Sequence, residues 1–253
     1  MNPFEFIEIF LVGVVASIFG SLVGMGGGFI VIPLLRLVFG VAPSVVAGTS
    51  LLFVLANVAT SAIGYIKQKR VDFSLAVPIS IGGVPGSIAG VLIAHRISAT
   101  WFDYLYGALL VGLFFLVIRR NANTATTTNK TFAHFWGVAV AAGIVLGLFS
   151  SLFGIGGGIV MVPLLLVAAK LPPHVVSATS GFIILCTAPV GVIAHGLTGD
   201  IDWLVAVPLT LGGLAGGYMA PYIAKRISSP GLVRLLAFAL LVAAAGLVLK
   251  HFA

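Results

Sequence analysis

The sequence predicts an all-α fold: a polytopic α-helical membrane protein made of two homologous five-segment repeats. Three observations predict it. Apolar residues make up 60% of the 253 positions and charged residues 8%, whereas soluble domains hold about 45–50% and about 25%. Long apolar stretches alternate with short polar breaks. A second copy of a glycine-rich motif follows the first at a spacing that the rest of the chain also keeps.

The repeat is carried by residue types that an apolar composition does not duplicate by chance. The run GMGGG at 24–28 returns as GIGGG at 154–158, an offset of 154 − 24 = 130 residues. Matches of Pro, Asp, Arg and Ser continue at that offset over nearly the whole of each half, for example from Asp72 to Asp202. We therefore expect a first transmembrane repeat, a linker loop and a second transmembrane repeat, at 1–120, 121–131 and 132–253.

Each repeat contains five apolar segments. In the first repeat they lie at about 4–23, 27–40, 43–66, 73–95 and 99–118. In the second they lie at about 133–153, 157–169, 173–197, 203–224 and 230–249. The second segment of each set has about 14 residues, or about 21 Å of helix, which is shorter than the roughly 30 Å hydrocarbon core. It is therefore a short or broken helix that opens at the glycine motif: a half-helix, a re-entrant segment or a thin, shielded span.

Loop charges favour an inverted arrangement of the two repeats. If all five segments of a repeat cross the membrane, most basic residues share one side, which the positive-inside rule assigns to the cytoplasm. This set is Lys67, Lys69, Arg70, Arg119, Arg120, Lys130, Lys170, Lys225 and Arg226. Arg36, Arg96 and Lys250 take the other side, and a parallel arrangement would reduce the bias. We expect a multi-pass protein of the cytoplasmic (inner) membrane with both termini outside the cytoplasm.

The glycine runs are candidates for a substrate site. Glycine relaxes backbone limits and permits close approach, and amides at the start of a helix attract an anion together with the helix dipole. Two half-helix N-termini that face each other near the midplane would form a transporter site. The alternative is that small residues merely let two helices pack closely, but corresponding runs in both halves favour a site. The candidates are Gly24, Gly26, Gly27, Gly28, Gly154, Gly156, Gly157 and Gly158.

These motifs resemble the sulfite exporter TauE/SafE family of membrane transporters. The resemblance rests on GMGGGFIVIPLL at 24–35 and GIGGGIVMVPLLL at 154–166, and it covers nearly the whole chain. It extends to Thr49-Ser50, Thr179-Ser180, 71–73 and 201–203. The resemblance implies a duplicated polytopic transporter of small sulfur-containing or organic anions, including sulfite and sulfonates. Family members differ in substrate and direction, so the resemblance does not identify the anion.

Polar side chains on the third segments could donate hydrogen bonds to an anion beside the glycines. They are Thr49, Ser50, Asn57, Thr179, Ser180 and Thr187. The alternative is that they bond their own helix backbone, as Ser and Thr hydroxyls do in membrane helices.

Three ionisable residues are candidates for proton coupling. Asp72 and Asp202 are an acidic pair kept by the repeat, and each immediately precedes an apolar span. A helix N-cap is their simpler role. His195 stands where the first half has Tyr65, and a histidine titrates near physiological pH. An ordinary interfacial histidine is the alternative for His195.

The sequence thus predicts a secondary transporter of a small anion, bound between two glycine-rich half-helix N-termini. An anion channel that uses the same dipoles is the alternative. No clustered acid, base, nucleophile or metal set suggests an enzyme, and we expect no catalytic residue, cofactor or metal. The expected partners are the anion, membrane lipid, and a coupling proton or counter-anion. The net charge of +7 resides mostly in short loops, so nucleic acid is not expected. The sequence does not indicate an oligomeric state.

Overall fold

The computed structural model describes residues 2–37, 40–118, 136–167 and 171–228, with Ala169 and six positions between 230 and 238. Every regular element in these ranges is an α-helix. The helices are α1 (Pro3–Val23), α2 (Gly28–Leu37), α3 (Pro43–Lys67), α4 (Phe73–Ala94), α5 (Ala99–Ile118), α6 (Trp136–Phe153), α7 (Gly158–Val167), α8 (Pro173–Leu197) and α9 (Trp203–Ala224). The predicted linker at 121–131 and most of the predicted segment at 230–249 lie outside the described residues.

Six helices are long and apolar enough to cross a membrane, namely α1, α3, α4, α6, α8 and α9. The prediction of an all-α membrane protein is confirmed, and the chain is a multi-span membrane protein. α2 and α7 have only 10 residues each. At 1.5 Å per residue each measures about 15 Å, about half the hydrocarbon core. These two short helices begin at the glycine motifs, as the sequence predicts.

Glycine stripes bring the first helix of each half against the fourth helix of the other half. On α4, a Cβ added at Gly82 would collide with the carbonyl oxygen of Val140 on α6, and one at Gly86 with that of Ile144. Such close backbone approach is typical of small residues in membrane helices. Because the residue numbers rise together along both helices, α4 and α6 run parallel.

The same packing joins α1 to α9. A Cβ at Gly212 would collide with the carbonyl oxygen of Phe10, and one at Gly216 with that of Val14. α1 and α9 therefore also run parallel. The two halves are interlocked, since each contributes one helix to a close pair with the other.

The third helices of the two halves, α3 and α8, cross at the centre and run antiparallel. The amide of Asp72, just past the end of α3, donates to Thr179 Oγ1 near the start of α8 at 3.0 Å. The amide of Asp202, just past the end of α8, donates to Thr49 Oγ1 near the start of α3, also at 3.0 Å. α3 and α8, which occupy equivalent places in the two halves, thus point in opposite directions.

Each short helix turns back toward the face of the bundle from which its preceding helix came. α1 and α9 start at the same face, since they run parallel, and α3 starts there too, beside the end of α8. α2 connects α1 to α3 and must therefore return to that face, which we call the N-terminal face. By the same argument the α6–α7 hairpin enters from the opposite face. The two hairpins bend inside the bundle at 24–27 and 154–157.

The N-terminal face is also where α2 is fastened to α5. Arg36 Nε donates to Asp103 Oδ1 at 2.9 Å, and Arg36 Nη2 donates to Asp103 Oδ2 at 2.6 Å. Arg36 is almost fully buried, so this bidentate pair compensates for the desolvation of the guanidinium. The pair holds the end of α2 in place.

The glycine stripe gives a test of the fold. We expect Gly82→Ala to destabilise the protein by at least about 2 kcal/mol, because the new methyl group cannot fit against the α6 backbone. Gly107→Ala on α5 is the matched control, since a Cβ there meets nothing within 4 Å. The control should be neutral or stabilising by up to about 1 kcal/mol. Thermal unfolding of the detergent-purified variants measures both, and equal melting temperatures would contradict the packing of α4 on α6.

Candidate glycine-loop anion site

The two glycine loops meet at the centre of the bundle. A Cβ at Gly28 would stand 2.9 Å from the carbonyl oxygen of Gly154, and one at Gly158 would stand 2.7 Å from that of Gly24. The backbones of the two hairpins therefore touch. Val54, halfway along α3, packs against both loops. The structure thus brings the two predicted glycine runs together, with the N-termini of α2 and α7 in the interior.

Glycine is required where α1 and α6 stop. Gly24 ends α1 with a φ of 87° and Gly154 ends α6 with a φ of 76°, both in the left-handed region. A residue with a side chain adopts this conformation only with strain, and glycine is the usual residue after the end of a helix. The chain can therefore reverse inside the bundle within a few residues.

The reversal leaves backbone carbonyls that no helix pairs, and serines from the opposite half bind two of them. Ser180 Oγ on α8 donates to the Gly24 carbonyl at 2.7 Å. Ser50 Oγ on α3 donates to the Gly154 carbonyl at 2.9 Å. These two hydrogen bonds occupy positions that correspond at the 130-residue offset of the repeat. The predicted residues Ser50 and Ser180 therefore lie at the glycine loops and hold them.

One turn earlier, a second pair of carbonyls is bound by long side chains. Tyr65 donates its hydroxyl to the Ser21 carbonyl at 2.9 Å. His195, which replaces Tyr65 in the second half, places Nε2 3.0 Å from the Ser151 carbonyl. His195 is completely buried. The histidine thus takes over a structural task that a phenol performs in the first half.

The other predicted polar residues are placed as follows. Thr49 and Thr179 accept the amides of Asp202 and Asp72, as described above. Asn57 Nδ2 donates to the Gly26 carbonyl at 2.8 Å, and Asn57 Oδ1 accepts the Ser21 hydroxyl at 2.6 Å. Thr187 donates to the Ile183 carbonyl of its own helix at 3.0 Å.

The two predicted aspartates sit at helix starts. Asp72 Oδ1 accepts the amide of Ser74 at 3.0 Å, and Asp202 Oδ1 accepts the amide of Leu204 at 3.1 Å. Each carboxylate thereby satisfies a free N–H group of the first turn and acts as an N-cap. The structure places them at opposite faces of the bundle, since one precedes α4 and the other α9.

The loops leave several backbone amides unpaired at the N-termini of the short helices. The amides of Gly154 and Ile155 donate to the Ser150 carbonyl. Those of 156–159 have no hydrogen-bond partner among the described residues, and the same holds for 27–29 in the first half. Free N–H groups at a helix N-terminus are a ready site for an anion.

A narrow gap, too small to hold a water molecule, lies beside the second glycine loop. It is lined by Gly156 and Gly157, by Ser150 on α6 and by Thr187 and Ile183 on α8, among others. Ser150 is 1% exposed, and its hydroxyl has no hydrogen-bond partner. A buried hydroxyl without a partner is rare and calls for an explanation. The gap is thin, so a ligand would enter only if the hairpin shifts.

The corresponding place in the first half is filled by larger side chains. Phe53 stands where the second half has Ile183, and its ring packs against Gly213 and Gly27. Ser17 stands where the second half has Gly147 and donates to the Gly213 carbonyl at 2.7 Å. The two glycine loops are therefore not equivalent, and the gap described above belongs to the second.

The sequence match settles the relationship. Residues 9–247, nearly the whole chain, match the sulfite exporter TauE/SafE family. The chain belongs to this family. It is 29% identical over 259 residues to the probable membrane transporter protein YunE of Bacillus subtilis. The aligned region covers 94% of this chain and 95% of the relative. No solved structure matches the chain significantly.

Two further relatives of this TauE/SafE protein come from other lineages. A probable membrane transporter protein of Xylella fastidiosa is 30% identical over 217 residues, covering 83% of this chain and 81% of the relative. One from Methanocaldococcus jannaschii is 30% identical over 225 residues, covering 82% of each. The resemblance noted from the motifs is confirmed, and the protein is a membrane transporter.

Sequence reasoning missed Ser150 and its neighbour Ser151, whose hydroxyl is likewise buried without a partner. Ser150 is not among the polar positions that both halves share, because the first half has Gly20 at the corresponding place. The signal that could have found it is a polar residue that appears in one repeat alone, directly before a glycine loop.

The serine contacts between the halves can be tested by truncation. We expect Ser180→Ala to lower the free energy of unfolding by about 1–3 kcal/mol, because the buried Gly24 carbonyl loses its partner. Ser80→Ala is the control: Ser80 Oγ donates to Ala76 of its own helix, and that carbonyl keeps its helical partner. Chemical or thermal unfolding in detergent compares the two. A Ser180→Ala protein as stable as the control would contradict the role of Ser180.

Proposed function

We propose that this TauE/SafE protein is a secondary transporter of a small anion across the cytoplasmic membrane. The anion is sulfite, a sulfonate or a related sulfur-containing or organic anion. It binds at the second glycine loop, between the N-terminus of α7 and the end of α6. The protein moves its substrate without catalysing a reaction.

The unpaired hydroxyl of Ser150 carries this proposal. Serine at this depth loses its hydration, and a hydroxyl left without a partner costs about 1–3 kcal/mol. An anionic oxygen in the adjoining gap would accept hydrogen bonds from this hydroxyl and from the free amides of 156–159. The helix dipole of α7 adds a partial positive charge at the same place. Ser150, Gly156 and Gly157 all line the gap, so the unpaired hydroxyl and the first free amides before α7 adjoin the same place.

The gap is lined by glycines, by apolar side chains and by the hydroxyl-bearing residues Ser150 and Thr187, with no cationic side chain among its described lining residues. Such a site can hold a small anion without binding it too tightly to release, which transport requires. The thinness of the gap supports a transporter rather than a channel, because the anion reaches the site only when helices move. Each hairpin opens to a different face, so that rocking of one hairpin against the other would expose the site alternately.

The basic residues support an orientation in the membrane. Gln68 Nε2 donates to the Pro221 carbonyl at 3.1 Å, so the ends of α3 and α9 lie together. The described cations of this face are Lys67, Lys69, Arg70, Lys225 and Arg226. The positive-inside rule assigns this face to the cytoplasm. The N-terminus of α1 then lies outside, and the gap is on the hairpin that enters from the cytoplasmic face.

Removal of the Ser150 hydroxyl should change the affinity for the anion without lowering the stability of the fold. We expect Ser150→Ala to weaken sulfite binding about tenfold or more, because a hydrogen bond to a charged group contributes about 1.5–3 kcal/mol. The same variant should unfold at an unchanged or slightly higher temperature without ligand, since the lost hydroxyl has no partner. Isothermal titration with sulfite, thiosulfate, methanesulfonate and small carboxylates measures the affinity.

Ser80→Ala is again the control and should bind as the wild type does. Equal affinities of Ser150→Ala and Ser80→Ala would contradict the site. A wild-type protein that binds none of these anions would contradict the anion specificity.

A further inference from the structure

A cluster of two histidines and an aspartate lies at the N-terminal face, outside the glycine-loop site. Asp200 follows α8, and its Oδ2 lies 2.8 Å from His95 Nε2 at the end of α4. The same Oδ2 lies 3.2 Å from His195 Nδ1. The Thr198 hydroxyl also donates to it. The Asp200 side chain is 8% exposed, so these contacts replace water around its carboxylate.

Two acceptor oxygens face the ring nitrogens of His195. Nε2 faces the Ser151 carbonyl, and Nδ1 faces the Asp200 carboxylate. Both partners are acceptors, and a neutral imidazole carries a proton on one nitrogen only. Both contacts can be hydrogen bonds only when His195 is the imidazolium. In the neutral form, one nitrogen lone pair would point at a buried oxygen.

Asp200 itself is not the group that gains or loses this proton. Burial alone would raise the pKa of Asp200. Hydrogen bonds from Thr198, His195 and Ser44 and the charge of His95 outweigh burial and lower the pKa below its ordinary value. The carboxylate therefore stays charged near neutral pH, and the proton resides on an imidazole. The titratable groups that face Asp200 among the described residues are His95 from α4 and His195 from α8.

His95 connects the cluster to water. Its side chain is 36% exposed, while His195 is completely buried. The two rings share Asp200 Oδ2, so the cluster forms a continuous path of contacts from solvent to the buried ring of His195. The path ends at the Ser151 carbonyl, in the last turn of α6 before the second glycine loop.

The first half has no equivalent of this cluster. There Tyr65 binds the Ser21 carbonyl, and a phenol stays neutral near pH 7. Arg70 occupies the position that corresponds to Asp200, and His174 the one that corresponds to Ser44. Arg70 Nη1 and His174 Nδ1 are 3.4 Å apart. A cation thus replaces the carboxylate, and the fastening of the first hairpin does not depend on protonation.

We propose that Asp200, His195 and His95 form a proton-binding site whose occupancy fastens the end of α6 and whose emptying releases the second hairpin. The bound proton holds His195 between Asp200 and the Ser151 carbonyl. Loss of the proton breaks one of the two contacts and frees the hairpin that carries the anion gap. The site would couple proton movement to anion transport, and this last step alone rests on the proposed function.

The proton on His195 can be observed directly. The chain has five histidines, and nitrogen-15 NMR of histidine-labelled protein in detergent distinguishes neutral from doubly protonated rings. We expect a doubly protonated His195 near neutral pH in the wild type, assigned by its absence in His195→Tyr. A neutral His195 at about pH 6, below the ordinary histidine pKa, would overturn the proposal.

Asp200→Asn is the decisive variant, because it keeps the shape of the side chain. Its amide NH₂ donates to Nδ1 of a neutral His195 and removes the need for the second proton. We expect a neutral His195 in this variant. Asp202→Asn is the matched control, since asparagine caps a helix as well as aspartate does and Asp202 lies outside the cluster. A doubly protonated His195 in Asp200→Asn would also overturn the proposal.

Stability gives a second readout that needs no ligand. The melting temperature of the wild type and of Asp202→Asn should fall by about 2–4 °C between about pH 6 and about pH 8, as the fastening proton is lost. His195→Tyr should lack this fall, because tyrosine can bind the Ser151 carbonyl as Tyr65 binds Ser21. The same fall in His195→Tyr as in the wild type would contradict the assignment.

Coupling is measured in proteoliposomes with methanesulfonate, whose charge does not change in this pH range. A pH gradient should drive methanesulfonate flux in the wild type and Asp202→Asn, but not in His195→Tyr. Flux that responds to the gradient equally in all three proteins would overturn the coupling. If the wild type transports no anion, the proposed function fails, while the NMR result still decides the proton site.

Discussion

Two helices that end inside an apolar bundle impose the main physical constraint on this protein. α1 and α6 stop at Gly24 and Gly154, where their last carbonyls have neither a next helical turn nor bulk water to bond. The other half of the chain supplies the missing hydrogen bonds: Ser180 donates to the Gly24 carbonyl, and Ser50 donates to the Gly154 carbonyl. The two halves therefore depend on each other, and α3 and α8 lie at the centre because they carry the side chains that bind the loops.

Both proposed sites lie at positions where the two halves of the chain carry different residues. Some backbone contacts are made by the same residue in both halves, as those of Thr49 and Thr179 are. Ser150 replaces a glycine, and Ile183 replaces the bulk of Phe53, so that a gap with an unused hydrogen-bond donor adjoins the second loop. His195 replaces a tyrosine and turns a neutral contact into one that depends on a proton. Substrate and proton would thus act on the same hairpin, one at its bend and the other at the end of α6.

Much of the fold follows from the sequence, because hydropathy and the 130-residue offset are properties of the chain alone. They predict the helices, the short α2 and α7, and the meeting of the glycine runs. Pairwise contacts do not follow. The binding of Thr179 to the Asp72 amide depends on how α3 crosses α8, and that crossing is set by packing along both helices. The roles of Ser150 and Asp200 could not be predicted for another reason. Each residue occurs in one repeat only, and its role depends on neighbours from three or more helices.

The central claim is that a small oxyanion binds beside Ser150 at the N-terminus of α7. Crystals of the protein soaked in selenite, which has the shape and charge of sulfite, would locate the anion by the anomalous scattering of selenium. We predict one peak within hydrogen-bond distance of Ser150 Oγ and the amides of 156–159, and its absence in crystals of Ser150→Ala. A peak at any other place, or none at saturating selenite, would contradict the claim.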